Sequence, residues 1–209
     1  MNDTQISEDE QDILQEIMNI AFGQAAAELA EIINIFVVLS VPYIRMIEAV
    51  DLPGYIQTEF SEFGNISIVE QNFWGDFKGT ALLIFPAGSG RELVSLLDDS
   101  PAAEFQYSDI LEKETLMEVG NILIGACVGK VAELLKDVVT YSPPKVIVED
   151  HPDITMSKTL FDPANSAIIL KTVFCFNERN VHGFLFLITS HKSVVWLKTA
   201  LADFMKQYE

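Results

Sequence analysis

The sequence predicts an α+β domain spanning residues 1–209, duplicated internally about a pseudo-twofold axis. A roughly six-stranded, mainly antiparallel sheet carries two long helices and two shorter ones. Three observations predict it: a repeat, two long amphipathic segments, and β-branched runs bounded by glycine and proline. Shifting the chain by 102 positions lays Leu14 on Leu116, Glu16 on Glu118, Asn19 on Asn121, Gly23 on Gly125, Ala30 on Ala132 and Pro42 on Pro144. Later in each half, the run from Gly79 to Pro86 falls on that from Gly183 to Thr189 at an offset of 104, with Leu93 and Leu97 on Leu197 and Leu201. The halves, about 7–107 and 108–209, therefore share one plan and differ by a small insertion.

In order, each half reads as a long helix, a strand leaving it, two further strands and a short helix. Ser7 with Glu10 forms a capping box for the first long helix, and Ser108-Asp109 provides a cap and an acid for the second. The β-branched runs 35–41 and 138–148 follow, then 65–73 and 166–176, then the two glycine-led strands. One half alone leaves a three-stranded sheet with raw edges, so the two triplets are expected to join, with helices over the faces.

Composition narrows the function classes. Thirteen Lys and Arg against thirty-one Asp and Glu give a net charge of -18, which repels phosphate backbones and anionic lipid; nucleic acid is not expected as a partner, and membrane surfaces are disfavoured. A hydrophobic content of 49% places that charge on a folded body. The first dozen residues carry acids and no base, unlike a secretory signal, and Cys127 and Cys175 lack metal or disulfide spacing, which suits a cytoplasmic location. Both cysteines read as packing residues. His151, His182 and His191 show no ligand or triad spacing, and the GxG of 86–91 has no glycine in its counterpart at 189–192, which argues against a phosphate cradle. Gly125 and Gly129 match GxxxG, but Glu118, Lys130 and Glu133 interrupt the apolar run, so no membrane insertion is expected.

The long helices are the informative part. Leu14, Ile17, Met18, Ala21, Ala25, Leu29 and Ile32 share one face of the first and should meet the sheet. The opposite face presents Asp12, Glu16 and Asn19, continued by Gly23, Ala26, Ala27 and Ala30. The second helix repeats the pattern with Glu114, Glu118 and Asn121, then Gly125, Val128, Gly129 and Ala132. Solvated helix surfaces normally carry long polar side chains, so a strip of small residues beside two polar hooks suggests a landing surface for a partner; close helix packing is the structural alternative. Glu and Asn three residues apart lie one turn apart on one face and can enter the same pocket. An amide does not ionise near neutrality, yet its donors and acceptor can orient a water, which suits phosphoryl hydrolysis.

Asp12-xxx-Glu16-xx-Asn19, twenty-two residues, then Pro42 resembles the repeated signature of the CheC/CheX/FliY family of chemotaxis phosphatases, and Glu114-xxx-Glu118-xx-Asn121 with Pro144 repeats it. Position 114 is Glu where that pattern has Asp or Ser, and Met18 replaces the Gly kept at Gly120. The resemblance spans nearly the whole chain and is nearest the two-site CheC form, since 209 residues leave no room for the extra switch-complex domain expected of FliY. It implies hydrolysis of the aspartyl phosphate on a CheY-like response regulator in two-component signalling. It assigns water orientation to Asn19 and Asn121, and docking of the regulator's lysine to Glu16 and Glu118. It further implies no cofactor on this chain, because the Mg²⁺ belongs to the regulator's site, and a CheD-like deamidase as a possible second partner. Two readings remain open at this level: a phosphatase, or a non-catalytic adaptor that docks the same partners.

Overall fold

The computed structural model describes residues 6–33, 36–40, 43–59, 65–97, 109–149, 166–176, 181–189 and 191–206. Helix α1 (Glu8–Ile33) is followed by β1 (Val37–Leu39), β2 (Tyr43–Glu48), a short 3-10 turn (Ala49–Asp51) and α2 (Leu52–Glu59). Strands β3 (Ile66–Trp74) and β4 (Gly79–Pro86) and helix α3 (Ser89–Leu97) complete the first half. The second half runs α4 (Asp109–Leu134), β5 (Thr140–Tyr141), β6 (Lys145–Glu149), β7 (Ser166–Phe176), β8 (Val181–Thr189) and α5 (His191–Met205). The capping box forms as read: Ser7 N donates to Glu10 Oε2 at 2.8 Å and Glu10 N donates to Ser7 Oγ at 3.2 Å. Ser108, Pro42, His151 and Asp150 lie outside the described residues, as do the side chains of Leu29 and Ile32.

All described strand pairs are antiparallel, in the order β1-β7-β8-β4-β3-β5, with β2 also on β7 and β6 also on β3. The sheet thus has eight strands where about six were expected: the run 138–148 yields both β5 and β6, and β2 follows the run 35–41 that yields β1. The run 138–148 divides at Pro143-Pro144, since proline lacks the N–H a continuous ladder needs. Six ladder positions remain, each edge being shared by two short strands. The register carries the twofold: Leu39 pairs with Phe174 as Tyr141 pairs with Phe73, and Tyr43 pairs with Lys171 as Lys145 pairs with Glu70.

The two faces of the sheet differ from the expectation that helices cover both alike. Ala81, Leu83 and Phe85 of β4 and Leu185 and Leu187 of β8 face a core completed by α1, α3, α4 and α5. The alternate residues Leu82, Ile84, Phe186 and Ile188 face a second, smaller cluster to which α2 brings Tyr55. Helix α2 escapes sequence reading because eight residues give too little periodicity, and Pro53-Gly54 reads as a turn although proline is tolerated in a first helical turn. Burial also explains why α4 alone among the described helices is long and apolar enough to cross a membrane: 56% of its apolar window is buried inside the fold.

Helices α1 and α4 lie against each other, and Lys130 Nζ reaches Glu28 Oε1 at 2.6 Å. These two residues are repeat equivalents, so the pseudo-twofold axis passes where they meet, and one ion pair replaces what strict symmetry would make a like-charge clash.

Candidate functional site

Along α1 the inward face is as read: Leu14, Ile17, Met18, Ala21 and Ala25 are fully buried. Facing away from them, Asp12, Glu16 and Gly23 are exposed and Asn19 is half-buried; Ala27 is exposed, and Ala26 and Ala30 are half-buried. On α4, Glu114, Glu118 and Asn121 are exposed, while Gly125 and Gly129 are half-buried. Two residues read as part of the second strip belong elsewhere. Val128 and Ala132 are 0% and 1% exposed and sit in the core, because the extensive contact of α4 with the sheet, α1 and α3 covers a wider arc of its surface than α1 loses. Those two side chains cannot meet a partner, and the second strip is correspondingly narrower.

Among the described residues, the carboxylates of Asp12, Glu16, Glu114 and Glu118 make no ion pair or hydrogen bond, so folding does not consume them. Each Asn lies nine residues before the member of the Glu28–Lys130 pair on its own helix, about 13 Å at 1.5 Å per residue. The twofold puts them on opposite sides of that crossing, giving two separate sites and not one composite site.

The glycines divide by role. A Cβ built on Gly23 or Gly125 meets nothing within 4 Å, so the chain's own packing does not require glycine at either position. On Gly129 it comes 3.5 Å from the Tyr141 hydroxyl, an ordinary contact within the fold. On Gly120 it falls 2.8 Å from Val69 Cγ1, so this glycine lets α4 settle onto β3. Its counterpart Met18 is fully buried, so that departure from the family pattern alters the core and not the outward face.

The two amides have different surroundings. Asn121 Oδ1 accepts a hydrogen bond of 2.7 Å from Nε2 of Gln71, a β3 residue only 2% exposed, and Gln71 Nε2 also donates to the Ser142 carbonyl at 2.9 Å. Asn19 has no hydrogen-bond partner among the described residues. Gln71 was not legible beforehand, lying fifty positions from Asn121. The sequence signal is an amide between Val69 and Phe73 on one face of a buried strand.

The remaining reactive groups stay apart from these pairs. The Cys127 thiol is buried on the inward side of α4, and burial pushes its pKa up, so it remains protonated. The Tyr141 phenol, held up to about 12 chiefly by burial, donates to the Gly125 carbonyl at 3.3 Å. Among the described residues no three His, Cys, Asp or Glu side chains come together as a metal cluster.

Comparison with known proteins matches the model of the CheC-like family to this chain twice, at residues 10–44 and 111–148. Both segments contain a Glu/Asn pair. The chain is 26% identical over 152 residues to the CheY-P phosphatase CheC of Bacillus subtilis (strain 168), covering 69% of this chain and 68% of that protein. Its fold is similar to the crystal structure of Thermotoga maritima FliY, with a TM-score of 0.69 at 20% identity over 94% of this chain and 98% of that one. The fold is also similar to FliM in a FliM–SpeE complex from H. pylori, with a TM-score of 0.61 at 10% identity over 94% and 97%.

Proposed function

From the chain's membership of the CheC/CheX/FliY family, we propose that it is a protein phosphatase hydrolysing the aspartyl phosphate of a CheY-like response regulator. One observation carries this reading. Both Glu/Asn pairs stand on the outward faces of twofold-related helices, their carboxylates unused by the fold, beside glycines the fold does not need.

The chemistry follows from what these side chains can and cannot do. Water attacks phosphorus in line, the P–O bond to the acyl oxygen breaks, and the products are a carboxylate, inorganic phosphate and a proton. An amide cannot take that proton, so Asn19 and Asn121 act by position. A hydrogen bond accepted from the water by the amide oxygen points a water lone pair at phosphorus, and this placement supplies much of the rate. Glu16 and Glu118, one turn away and unpaired with any cation among the described residues, dock a lysine of the regulator. Gly23, Ala27, Gly125 and Gly129 let a partner's backbone approach the helix. The magnesium of such a reaction stays with the regulator, and this chain supplies no cofactor. The proposal places the protein in the cytoplasm with its substrate.

The test is the decay of a phosphorylated receiver domain with the Asn19→Ala/Asn121→Ala protein. Accelerated decay should vanish while binding of the receiver domain stays within a few-fold, because the amides position water and do not anchor the complex. Persistence of the acceleration refutes the phosphatase reading of these residues. If the unmodified protein binds the receiver without accelerating decay, the adaptor reading replaces it.

A further inference from the structure

We propose that Gln71 is a positioning residue for Asn121, holding its carboxamide in one orientation, and that the Asn19 site has no equivalent; this rests on the function proposed above. Ser142 O can only accept, so the Gln71 group 2.9 Å away is its NH₂. The second hydrogen of that NH₂ then reaches the Asn121 side chain at 2.7 Å and requires an acceptor there, which makes the facing atom Oδ1. Asn121 Nδ2 is thereby turned away from Gln71, with both its hydrogens and the second lone pair of Oδ1 left for a water. Donation to Oδ1 also polarises the amide and strengthens Nδ2–H as a donor.

This arrangement leaves Gln71 Oε1 buried with no hydrogen-bond partner. An unsatisfied buried oxygen opposes folding, and rotating the amide does not relieve it without loss, because Oε1 would then face the Ser142 carbonyl oxygen, which cannot donate. The side chain is held by what its NH₂ does.

The pseudo-symmetry supplies the control. Register places Thr172 of β7 where β3 has Gln71, and Ser40 where the second half has Ser142. The surrounding bonds repeat: Asn72 N donates to Ser142 Oγ and Val173 N to Ser40 Oγ, both at 3.0 Å. Thr172, however, has one hydroxyl hydrogen and gives it to the Ser40 carbonyl at 2.6 Å. The NH₂ of Gln71 serves both the carbonyl and the catalytic amide; the hydroxyl of Thr172 gives its hydrogen to the carbonyl, and its oxygen meets only Ser40 Oγ at 3.4 Å among the described residues.

The test measures each site separately. In an Asn19→Ala background, where only the second site works, Gln71→Thr should lower kcat for receiver dephosphorylation about tenfold or more, with KM held within about twofold. In an Asn121→Ala background the same change should leave the rate where it was. Side-chain amide NMR gives a readout free of activity: Gln71→Thr should shift the Asn121 Nδ2 signals and leave those of Asn19 in place. Gln71→Met, similar in volume and lacking donors, repeats every arm should the threonine variant fold poorly.

An unchanged rate in the Asn19→Ala background, equal losses at both sites, or an unmoved Asn121 signal each overturns the positioning role. Activity that survives loss of both asparagines refutes the proposed function instead. The NMR arm still decides whether Gln71 holds Asn121.

Discussion

Replacing Gly23 and Gly125 by alanine separates what the fold needs from what a partner needs. Each sits inside a 26-residue helix, where glycine is less favourable than alanine by about 0.8–1.0 kcal/mol. A methyl group at either position meets nothing within 4 Å, so no steric term offsets the gain. The two positions lie on different helices, either side of the Glu28–Lys130 pair, and should add to about 1.5–2 kcal/mol. For a chain of this length that corresponds to a rise of about 3–8 °C in Tm. Thermal and urea unfolding of Gly23→Ala, Gly125→Ala and the double variant measure it. Receiver binding should move the other way, slightly for alanine and strongly for Gly125→Gln, whose side chain fills the approach. A loss of stability on adding the methyl groups would falsify the open-space argument, and docking that tolerates glutamine would remove the landing-strip role.

Three further predictions follow from the same structure. Glu16→Lys/Glu118→Lys should weaken receiver binding by about tenfold or more and leave Tm nearly unchanged, since neither carboxylate has a partner among the described residues; titration calorimetry decides it, and retained affinity refutes the lysine contact. Gly120→Ala should destabilise by about 1–3 kcal/mol, because its Cβ would come 2.8 Å from Val69, so the two α4 glycines Gly120 and Gly125 respond with opposite signs in urea titrations. Tyr141 ionises near pH 10 in the unfolded chain and at about 12 in the folded one, so above pH 10 the unfolded state loses the proton first and stability falls as pH rises. Tyr141→Phe should flatten that fall between pH 10 and 12 in alkaline unfolding curves, and an equally steep fall would show that the phenol is not its source.

The Glu/Asn pairs, the helix faces and the duplication were legible because each is a local or periodic property. Spacing along one helix places Glu16 beside Asn19, and apolar residues at helical intervals select the buried side. Pairing of the two triplets also followed from sequence, since neither half can satisfy its sheet edges alone. What the chain order could not reveal depends on neighbours distant in sequence. Val128 and Ala132 share a helical stripe with Gly125, and only the packing of α4 against sheet and helices buries them. Division of the run 138–148 into β5 and β6 turned on the N–H missing at Pro143-Pro144, and α2 on a first turn that tolerates Pro53.

The repeat makes the two sites equal in residue type: Glu16 with Asn19, Glu118 with Asn121. Tertiary structure makes them unequal, because β3 and β7 put different side chains, Gln71 and Thr172, into the same position of one pseudo-symmetric sheet. Sequence determines which groups each helix presents, since helical spacing is a short-range geometry. The orientation of an amide depends on a donor fifty positions away, and only the closed sheet brings that donor within 2.7 Å.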